Sequence, residues 1–526
     1  MCINASNKEH LIFKDLILKN DAHEDDEPLE TGADLKRFGF YAHVGYSGIK
    51  SNITLSNIKV HKIYPTNSSG TENSDSFLGY GIYFTADGTG NSNYFEGITI
   101  SNCEITDIGN VGISINKWIP DVNPPTNQYQ KNITIRSNNL HHIGGAGMVF
   151  FNVEDFLIEQ NMVTYTGDFS LDNRQHGRGS GYWSVRCNNG ILQYNEFSHV
   201  RGTADSCGAH IDIENDNIVV QYNLSYDNAG GFAEFMGANT NCIYRYNISI
   251  NDGFRVKWTS GSTIQSNPEM YSPNGSRNTQ QGKIIWFSDF TGFNGQPKNG
   301  SKNNQVYNNT IYIGQDSNGD NITSLIRFEN DTDYNEVRNN IFYIETGSSL
   351  NFTKSDTAGS NNAFSNNLYS NGGPNNIFFK GANDILNTNP LFGNLGGITA
   401  DDYKLLDNSP AINAGIFIAN NGGIDFWKTL LGDYAPTDIG ATELDQTSLG
   451  VDNNINVPQI TLFPNPAINI LTVNRIKTAT NFQIYNTMGQ LVQKGSTQKI
   501  IGISTLKSGI YVIKFEGLKP ILFLKK

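Results

Sequence analysis

Acidic, basic and aromatic side chains fall at alternating positions of short apolar segments near the middle of this 526-residue chain. Alternate residues of a β-strand share one side of the sheet. In GAHIDIEN, Ile211 and Ile213 are predicted to face the interior. His210, Asp212 and Glu214 then face the opposite side. This segment therefore offers two carboxylates and an imidazole on one outer surface.

A third carboxylate follows in GGFAEFMG, where Ala233 and Phe235 are assigned inward positions. Phe232 and Glu234 then face outward. Glu234 comes 22 residues after Asp212, so we expect the two side by side on adjacent strands. The same alternation predicts further outward groups in the segments before and after: Tyr182, Ser184, Arg186, Arg255, Lys257, Arg327 and Glu329.

Carboxylates on neighbouring strands suit hydrolysis of a glycosidic bond. A retaining glycoside hydrolase needs an acid/base and a nucleophile about 5 to 5.5 Å apart, and adjacent strands lie about 4.8 Å apart. Asp212 and Glu234 are therefore the predicted catalytic pair, with Glu214 as a third acidic group of the site. No cofactor is expected for this reaction. The predicted substrate-binding side chains are His210, Tyr182, Arg186, Phe232, Arg255, Lys257 and Arg327.

Two other functions use the same residues. In a polysaccharide lyase, Asp212, Glu214 and Glu234 would bind Ca²⁺, and Lys257 or Arg255 would remove the C5 proton of a uronate. The Lys and Arg context of alginate and chondroitin lyases is not found in the chain. In a non-catalytic glycan-binding surface protein, the same face would hold sugar through aromatic and charged groups. Both alternatives remain open at this point.

The elements that would position these groups are read from a recurring phrase of apolar residues followed by Asn. It reads ILQYNEFSHV, VVQYNLSYDN and IYRYNISIND around Asn195, Asn223 and Asn247. Most intervals are 23 to 34 residues, the length of one solenoid turn. The interval of 62 from Asn247 to Asn309 is interpreted as about two turns. Looser copies occur at Asn138, Asn161, Asn309, Asn340 and Asn367.

The repeated Asn is predicted to lie at the bend between two strands. There it tolerates left-handed backbone geometry, and its amide bonds to the Asn above and below. Turns of this size, with strands such as HIDIEN and GYWSVR, resemble the right-handed parallel β-helix of secreted carbohydrate-active enzymes. That family contains pectate, alginate and chondroitin lyases and several glycoside hydrolases. The resemblance implies a polysaccharide or oligosaccharide substrate more than it implies one reaction.

The end of the solenoid is predicted near residue 445. The segments NPLF, NSPAINAG and TDIGATE, which end at Glu443, resemble the closing segment of many bacterial β-helix proteins. The predicted domains are therefore a β-helix over 1–445 and a linker over 446–456. The polar insertion between Thr259 and Ser301 is predicted to border the outer face that carries the carboxylates, because long loops on a rigid solenoid commonly wall a binding cleft.

Residues 457–526 are predicted to form a separate small β-sandwich of alternating strands and Asn/Gly turns. This region resembles the C-terminal sorting domain of the type IX secretion system of Bacteroidetes. The resemblance implies that the type IX machinery is a partner, and that the chain is secreted or held at the cell surface. The matching residues are Pro464, Asn465, Pro466, Asn486, Gly489, Gln490, Leu506, Gly509, Tyr511, Lys525 and Lys526.

The chain opens with MCINASNKEHLIFKDLILKN, which lacks a cationic start followed by an apolar run. A signal peptide and the first turns are therefore expected to be missing. A net charge of −13 argues against nucleic acid or an anionic membrane as a partner. No stretch approaches the length of a membrane span. The five cysteines lack metal-site spacing and are interpreted as small buried groups outside any disulfide framework. A monomer is expected.

Overall fold

The structure is a computed structural model of the chain, and it forms two compact units, Met1–Leu444 and Asp445–Lys526. The residues it describes are 1–22, 36–45, 48–65, 79–87, 93–117, 129–167, 175, 177, 179–202, 206–253, 283–291, 298–314, 324–346, 351–432, 436–444, 461–474, 479–487, 489–515 and 520–526.

The first unit is a parallel β-helix, in which each turn adds one strand to each of three sheets. Sheet 1 contains Ile3–Asn4, Arg37–Val44, Gly79–Ala86, Val111–Asn116, Met148–Phe151, Tyr182–Val185, Ala209–Ile211, Ala233–Phe235, Lys283–Phe287, Ser324–Phe328 and Phe352–Lys354. Sheet 2 contains Leu11–Lys14, Lys50–Ser56, Phe95–Ser101, Gln130–Arg136, Val153–Glu159, Asn188–Gln193, Asp216–Gln221, Ile243–Arg245, Gln305–Tyr307, Glu336–Arg338 and Ala363–Ser365. Sheet 3 contains Ile17–Asp21, Lys59–Tyr64, Glu104–Ile108, Asn139–Ile143, Met162–Thr166, Glu196–Ser198, Leu224–Tyr226, Ile248–Ile250, Thr310–Ile313, Ile341–Ile344, Leu368–Tyr369 and Ile385–Leu386.

In the interior of the β-helix, equivalent positions of successive turns carry similar apolar side chains that stack on one another. Phe235, Phe287 and Phe328 come from successive strands of sheet 1, and their rings stack with centroids 4.9 and 4.5 Å apart. Parallel pairing in register repeats the same inward position every turn, so an apolar residue meets an apolar residue. The predicted β-helix fold is confirmed.

An asparagine ladder runs along this interior, as predicted. The backbone N–H and the side-chain Nδ2 of Asn195 both donate to Oδ1 of Asn223, at 2.9 and 3.0 Å. Asn223 makes the same two bonds to Asn247. The left-handed residue is the one before each Asn, with φ of 56° at Tyr222. The expectation that the Asn itself is left-handed is wrong here, because its amide must point inward to meet the next Asn.

The long interval before Asn309 is one turn and not two. Asn247 donates directly to Oδ1 of Asn309 at 3.0 Å, and Ile248 pairs with Thr310 in sheet 3. The additional residues therefore lie between strands of a single turn. Of the insertion Thr259–Ser301, residues 259–282 and 292–297 lie outside the described residues. The contact predicted between its polar loop and the carboxylate face therefore lies outside them too.

The second unit is built from two antiparallel sheets around its own core. That core includes Leu471, Ile484, Ile513 and Phe515. The three-stranded sheet contains Thr461–Phe463, Ile470–Asn474 and Ile500–Gly502, and the four-stranded sheet contains Thr480–Asn486, Leu491–Thr497, Gly509–Phe515 and Ile521–Lys525. The helices of the described residues are two short 3-10 helices in the first unit, Ile377–Phe379 and Ala400–Tyr403.

Candidate active site on the outward face of sheet 1

The outward face of sheet 1 carries a row of large polar and aromatic side chains. Strand pairing places Trp183 beside His210, and Glu234 beside Trp286. Ile211 pairs with Phe235, so the residues before them, His210 and Glu234, are neighbours on adjacent strands. Four consecutive turns thus bring an indole, an imidazole, a carboxylate and a second indole into one row.

This register corrects the predicted partner of Glu234. Glu234 lies beside His210, and Asp212 lies at the level of Met236. The strand of His210 ends at Ile211, and the chain then turns. As a result Ile213 packs in an outer apolar cluster with Met236 and not in the interior. The expected side-by-side arrangement of Asp212 and Glu234 is therefore wrong by two residues along the strand.

Glu234 belongs to a buried group of three unlike side chains, which we term the Cys-His-Glu cluster: Cys207, His210 and Glu234. One ligand-type atom from each lies within 4.8 Å of the other two. The Cys207 thiol donates to Oε2 of Glu234 at 3.0 Å, and Nδ1 of His210 lies 3.8 Å from the same oxygen. The exposed fractions are 2%, 4% and 7% in the same order.

Two further polar groups adjoin the Cys-His-Glu cluster. Ser180 Oγ lies 3.2 Å from Nδ1 of His210 and accepts from the backbone N–H of Ser206. Lys283 lies over the ring of Trp286, with Nζ 3.1 Å from the centroid. Burial lowers the pKa of Lys283, while Glu234 acts in the opposite direction. An ammonium group therefore shares its surroundings with the Glu234 carboxylate.

Glu214 is removed from the cluster by an ion pair of its own. Its Oε2 accepts from Nε of Arg186 at 2.5 Å. Further along sheet 1, Arg327 pairs in register with Trp286 and donates to Oε1 of Glu329 at 2.9 Å. Arg186, Glu214 and Arg327 are thus close to the row, but each charged group is already matched by an opposite charge.

Two predicted substrate-binding aromatics face the interior instead. Tyr182 is fully buried in the main core, where its ring contacts Phe150. Phe232 is 3% exposed and packs edge-on against Tyr244. Their outward orientation was wrong because the parity of each strand follows the register of its neighbours: Tyr182 pairs with Ala209, an inward position where a small residue leaves room for a large ring.

The remaining predicted side chains divide into two groups. Asp212 is partly exposed on the rim of the row. Arg255 and Lys257 lie outside the described residues. The predicted Ca²⁺ set does not fit the observed arrangement, because Glu214 is bonded to Arg186 and Glu234 to a thiol, whereas Ca²⁺ is held by several oxygens converging on one point.

Sequence reasoning missed Cys207 and Trp286 as members of this site. All five cysteines are free thiols, and Cys2 is exposed, so the expectation that all are buried is wrong for Cys2. Cys103, Cys187 and Cys242 are buried without a carboxylate partner in the described hydrogen bonds. Only the short spacing in CGAH, with Cys207 three residues before His210, distinguishes Cys207 in the sequence.

Comparison with known proteins adds two kinds of likeness. Residues 461–521 match the secretion-system C-terminal sorting domain family. A lacto-N-biosidase of Bifidobacterium longum subsp. longum is 24% identical over 472 residues, which cover 77% of this chain and 26% of that protein. The chain therefore spans about a quarter of the length of this curated relative.

Solved structures with a similar course of the chain include carbohydrate-active proteins. The GH136 lacto-N-biosidase from Eubacterium ramulus is 17% identical with a TM-score of 0.43, and the match covers 70% of this chain and 50% of that one. DFA-IIIase from Arthrobacter chlorophenolicus A6 is 14% identical with a TM-score of 0.39, and the match covers 64% and 67%.

The predicted sorting domain is confirmed, and the protein is secreted or held at the cell surface. Among the described residues, no helix has the length and apolar character needed to cross a membrane.

Proposed function

We propose that the protein is a secreted glycoside hydrolase that acts on the outward face of sheet 1. The observation that carries this proposal is Glu234, a carboxylate 7% exposed that lies between the indole of Trp286 and the imidazole of His210. A carboxylate surrounded by aromatic rings and a few polar groups is typical of a sugar-cleaving site. The likeness to a lacto-N-biosidase over 77% of the chain supports the same reaction class.

Glu234 lies beside a hydrogen-bond donor and a cationic side chain. The Cys207 thiol donates to it, and the Lys283 ammonium lies in the same surroundings. We assign Glu234 the role of nucleophile or base. Asp212 is more exposed and lies just past the end of the adjacent strand, two residues after His210, so we assign it the protonation of the leaving group.

The observed register does not by itself supply the separation of about 5 to 5.5 Å that a retaining pair requires. The stereochemical course is therefore assigned by experiment. Proton NMR of the first product formed distinguishes the retained anomer from the inverted one, and the result decides whether Asp212 and Glu234 act through a covalent intermediate or through a water between them.

A lyase has less support from these residues. Its Ca²⁺ cage is not assembled, since Glu214 and Glu234 bond to different partners. A hydrolase without a metal cofactor requires the two carboxylates, the sugar and a water molecule. Removal of Ca²⁺ should then leave the rate unchanged.

The proposal is tested by incubating the full chain with p-nitrophenyl lacto-N-bioside and with a panel of plant and algal polysaccharides. Reducing ends that appear without absorbance from an unsaturated uronate support hydrolysis. Reducing ends that appear together with that absorbance mean β-elimination and overturn the proposal. Binding without any product, seen by affinity electrophoresis on the same panel, identifies a glycan-binding protein and also overturns it.

A further inference from the structure

The Cys-His-Glu cluster has a composition that the proposed hydrolysis does not require. A glycosidase carboxylate can be oriented by any hydrogen-bond donor, yet here a thiol and an imidazole nitrogen converge on one oxygen of Glu234, at 3.0 and 3.8 Å. The other buried thiols of the described residues do not do this. Cys103 donates to backbone carbonyls, and Cys187 does the same.

Sulfur, imidazole nitrogen and carboxylate oxygen together form a recognised donor set for zinc. Zn²⁺ bonds of about 2.3 Å to sulfur and about 2.1 Å to nitrogen and oxygen place tetrahedral ligand atoms roughly 3.4 to 3.6 Å apart. The two observed separations, 3.0 and 3.8 Å, lie on either side of that value. The third separation, between the sulfur of Cys207 and the imidazole of His210, is within 4.8 Å, so the three groups must draw together around the ion to reach the tetrahedral spacing.

The charges of the three ligands also match those of a divalent cation. A thiolate from Cys207 and the carboxylate of Glu234 together carry two negative charges, and a neutral His210 adds none. A divalent cation therefore gives a neutral site. Neutrality matters because all three side chains are more than nine-tenths buried, and an unbalanced charge in such surroundings is costly. Ca²⁺ and Mg²⁺ are disfavoured, because both prefer oxygen ligands.

We propose that Cys207, His210 and Glu234 form a site for Zn²⁺, and that an ion bound there holds Glu234 out of the hydrolytic reaction. The second half of this statement rests on the proposed function. On binding, the thiol proton of Cys207 is released to solvent and the sulfur forms a bond to the metal. One oxygen of Glu234 exchanges the thiol hydrogen bond for a metal bond. A water molecule completes the tetrahedron.

Binding is measured first, and independently of activity. The full chain, stripped with a chelator and kept reduced, is titrated with Zn²⁺ against a chromophoric chelator, and Co²⁺ is used in parallel because a cobalt–thiolate bond has a charge-transfer absorption. We expect one ion per chain with that absorption. Cys207→Ser should weaken Zn²⁺ at least about tenfold and remove the absorption, since serine replaces the soft sulfur ligand.

The matched control is Cys103→Ser, which changes a buried thiol elsewhere in the β-helix and should leave binding unchanged. His210→Gln provides a second test if Cys207→Ser folds poorly, as judged by circular dichroism. The absence of stoichiometric binding to the folded chain overturns the site. Binding that persists without change in both Cys207→Ser and His210→Gln also overturns it.

The effect on catalysis is measured last. If the chain hydrolyses a substrate, Zn²⁺ should inhibit at the concentrations at which it binds, and a chelator should restore the rate. Activity that is unaffected at full zinc occupancy overturns the second half of the proposal alone. If the chain binds Zn²⁺ through Cys207 but cleaves no glycan, the metal site stands and the proposed function fails.

Discussion

The asparagine ladder and the Cys-His-Glu cluster are both made of buried polar groups, but they satisfy their hydrogen bonds in opposite ways. Asn223 accepts two bonds from Asn195 and passes two on to Asn247. Each Asn can accept hydrogen bonds from one neighbour and donate to the other because all members are the same residue type. In the cluster, one oxygen of Glu234 accepts from a thiol and faces an imidazole, and no second cluster of this kind occurs among the described residues.

This difference teaches how function can be separated from scaffold in a repeat protein. A polar group that recurs every turn is explained by stacking, since a buried donor or acceptor must be paired. A buried polar group that occurs once is not explained by the repeat. Its cost has to be offset by a specific role. The distinction between scaffold and function would fail if the Cys-His-Glu cluster were needed only for folding. It would also fail if the asparagine ladder were needed directly for activity.

The largest effect is expected at Glu234. Glu234→Gln keeps the shape but removes the charge, and should lower kcat by about a thousandfold or more while the β-helix stays folded. The matched control is Glu154→Gln, a carboxylate on the outer side of sheet 2 that is paired with Lys131. Full activity of the Glu234 variant on a confirmed substrate, with steady-state kinetics equal to the control, would mean that the catalytic groove lies on another face.

The next effect concerns stability and not turnover. Asn223→Ala leaves the two donors of Asn195 without their acceptor and removes the bonds that Asn223 donates to Leu192 and Asn247. We expect a loss of about 2 to 4 kcal/mol in the free energy of unfolding, measured by denaturant titration. Asn188→Ala, on the outer side of sheet 2 beside Glu154, should change it by less than about 1 kcal/mol. Equal losses in the two variants would contradict the ladder's role.

Asp252, a buried carboxylate that accepts hydrogen bonds from Asn228, allows a pH test. Both the backbone N–H and the Nδ2 of Asn228 donate to Oδ1 of Asp252, and burial raises the pKa of Asp252 to about 7. The folded chain therefore favours the protonated form. This contribution to stability is complete below the usual Asp pKa of 3.8 and is lost as the pH rises through about 7.

Asp252→Asn should remove that pH dependence, because an amide replaces the titrating group with the residue used in the asparagine ladder. Relative to the parent chain, the variant should gain on the order of 2 kcal/mol of stability between pH 5 and pH 8. Thermal melts at both pH values measure this. A difference between the two proteins that does not change with pH would show that Asp252 does not titrate in this range.

The smallest effect is expected from removing residues 445–526. The core of the second unit is formed by residues of that unit alone. The melting transition of the β-helix and its activity should both remain unchanged, as followed by calorimetry and the same glycan assay. A lowered melting temperature of the first unit would show that the sorting domain stabilises it.

The sequence was sufficient for the repeat but not for the register of the site. Asn195, Asn223 and Asn247 identify successive turns because each is an obligatory partner of the next. Glu234 was misplaced because the strand before it ends at Ile211 and the intervening turn cannot be measured by counting residues. Cys207 carried no signal of its own, because a single cysteine in an apolar stretch is usually a packing residue.

The predicted outward orientation of Tyr182 was wrong for a related reason. In GYWSVRC, the two alternating sets are Tyr182 with Ser184 and Trp183 with Val185. Either set is apolar enough to face the core. The pairing of Trp183 with His210 decides the matter, and that pairing depends on a neighbouring strand and not on the segment itself.

The 62-residue turn between Asn247 and Asn309 has a consequence for how such proteins diversify. The asparagine ladder and the strand register continue across this turn unchanged. The solenoid therefore places almost no restriction on the length of the segment between Ile250 and Lys283. Lys283 begins the strand that carries Trp286 beside Glu234. That junction is a natural grafting point, where evolution or an engineer can replace the segment that leads into the strand of Trp286 while the strands on either side keep their register.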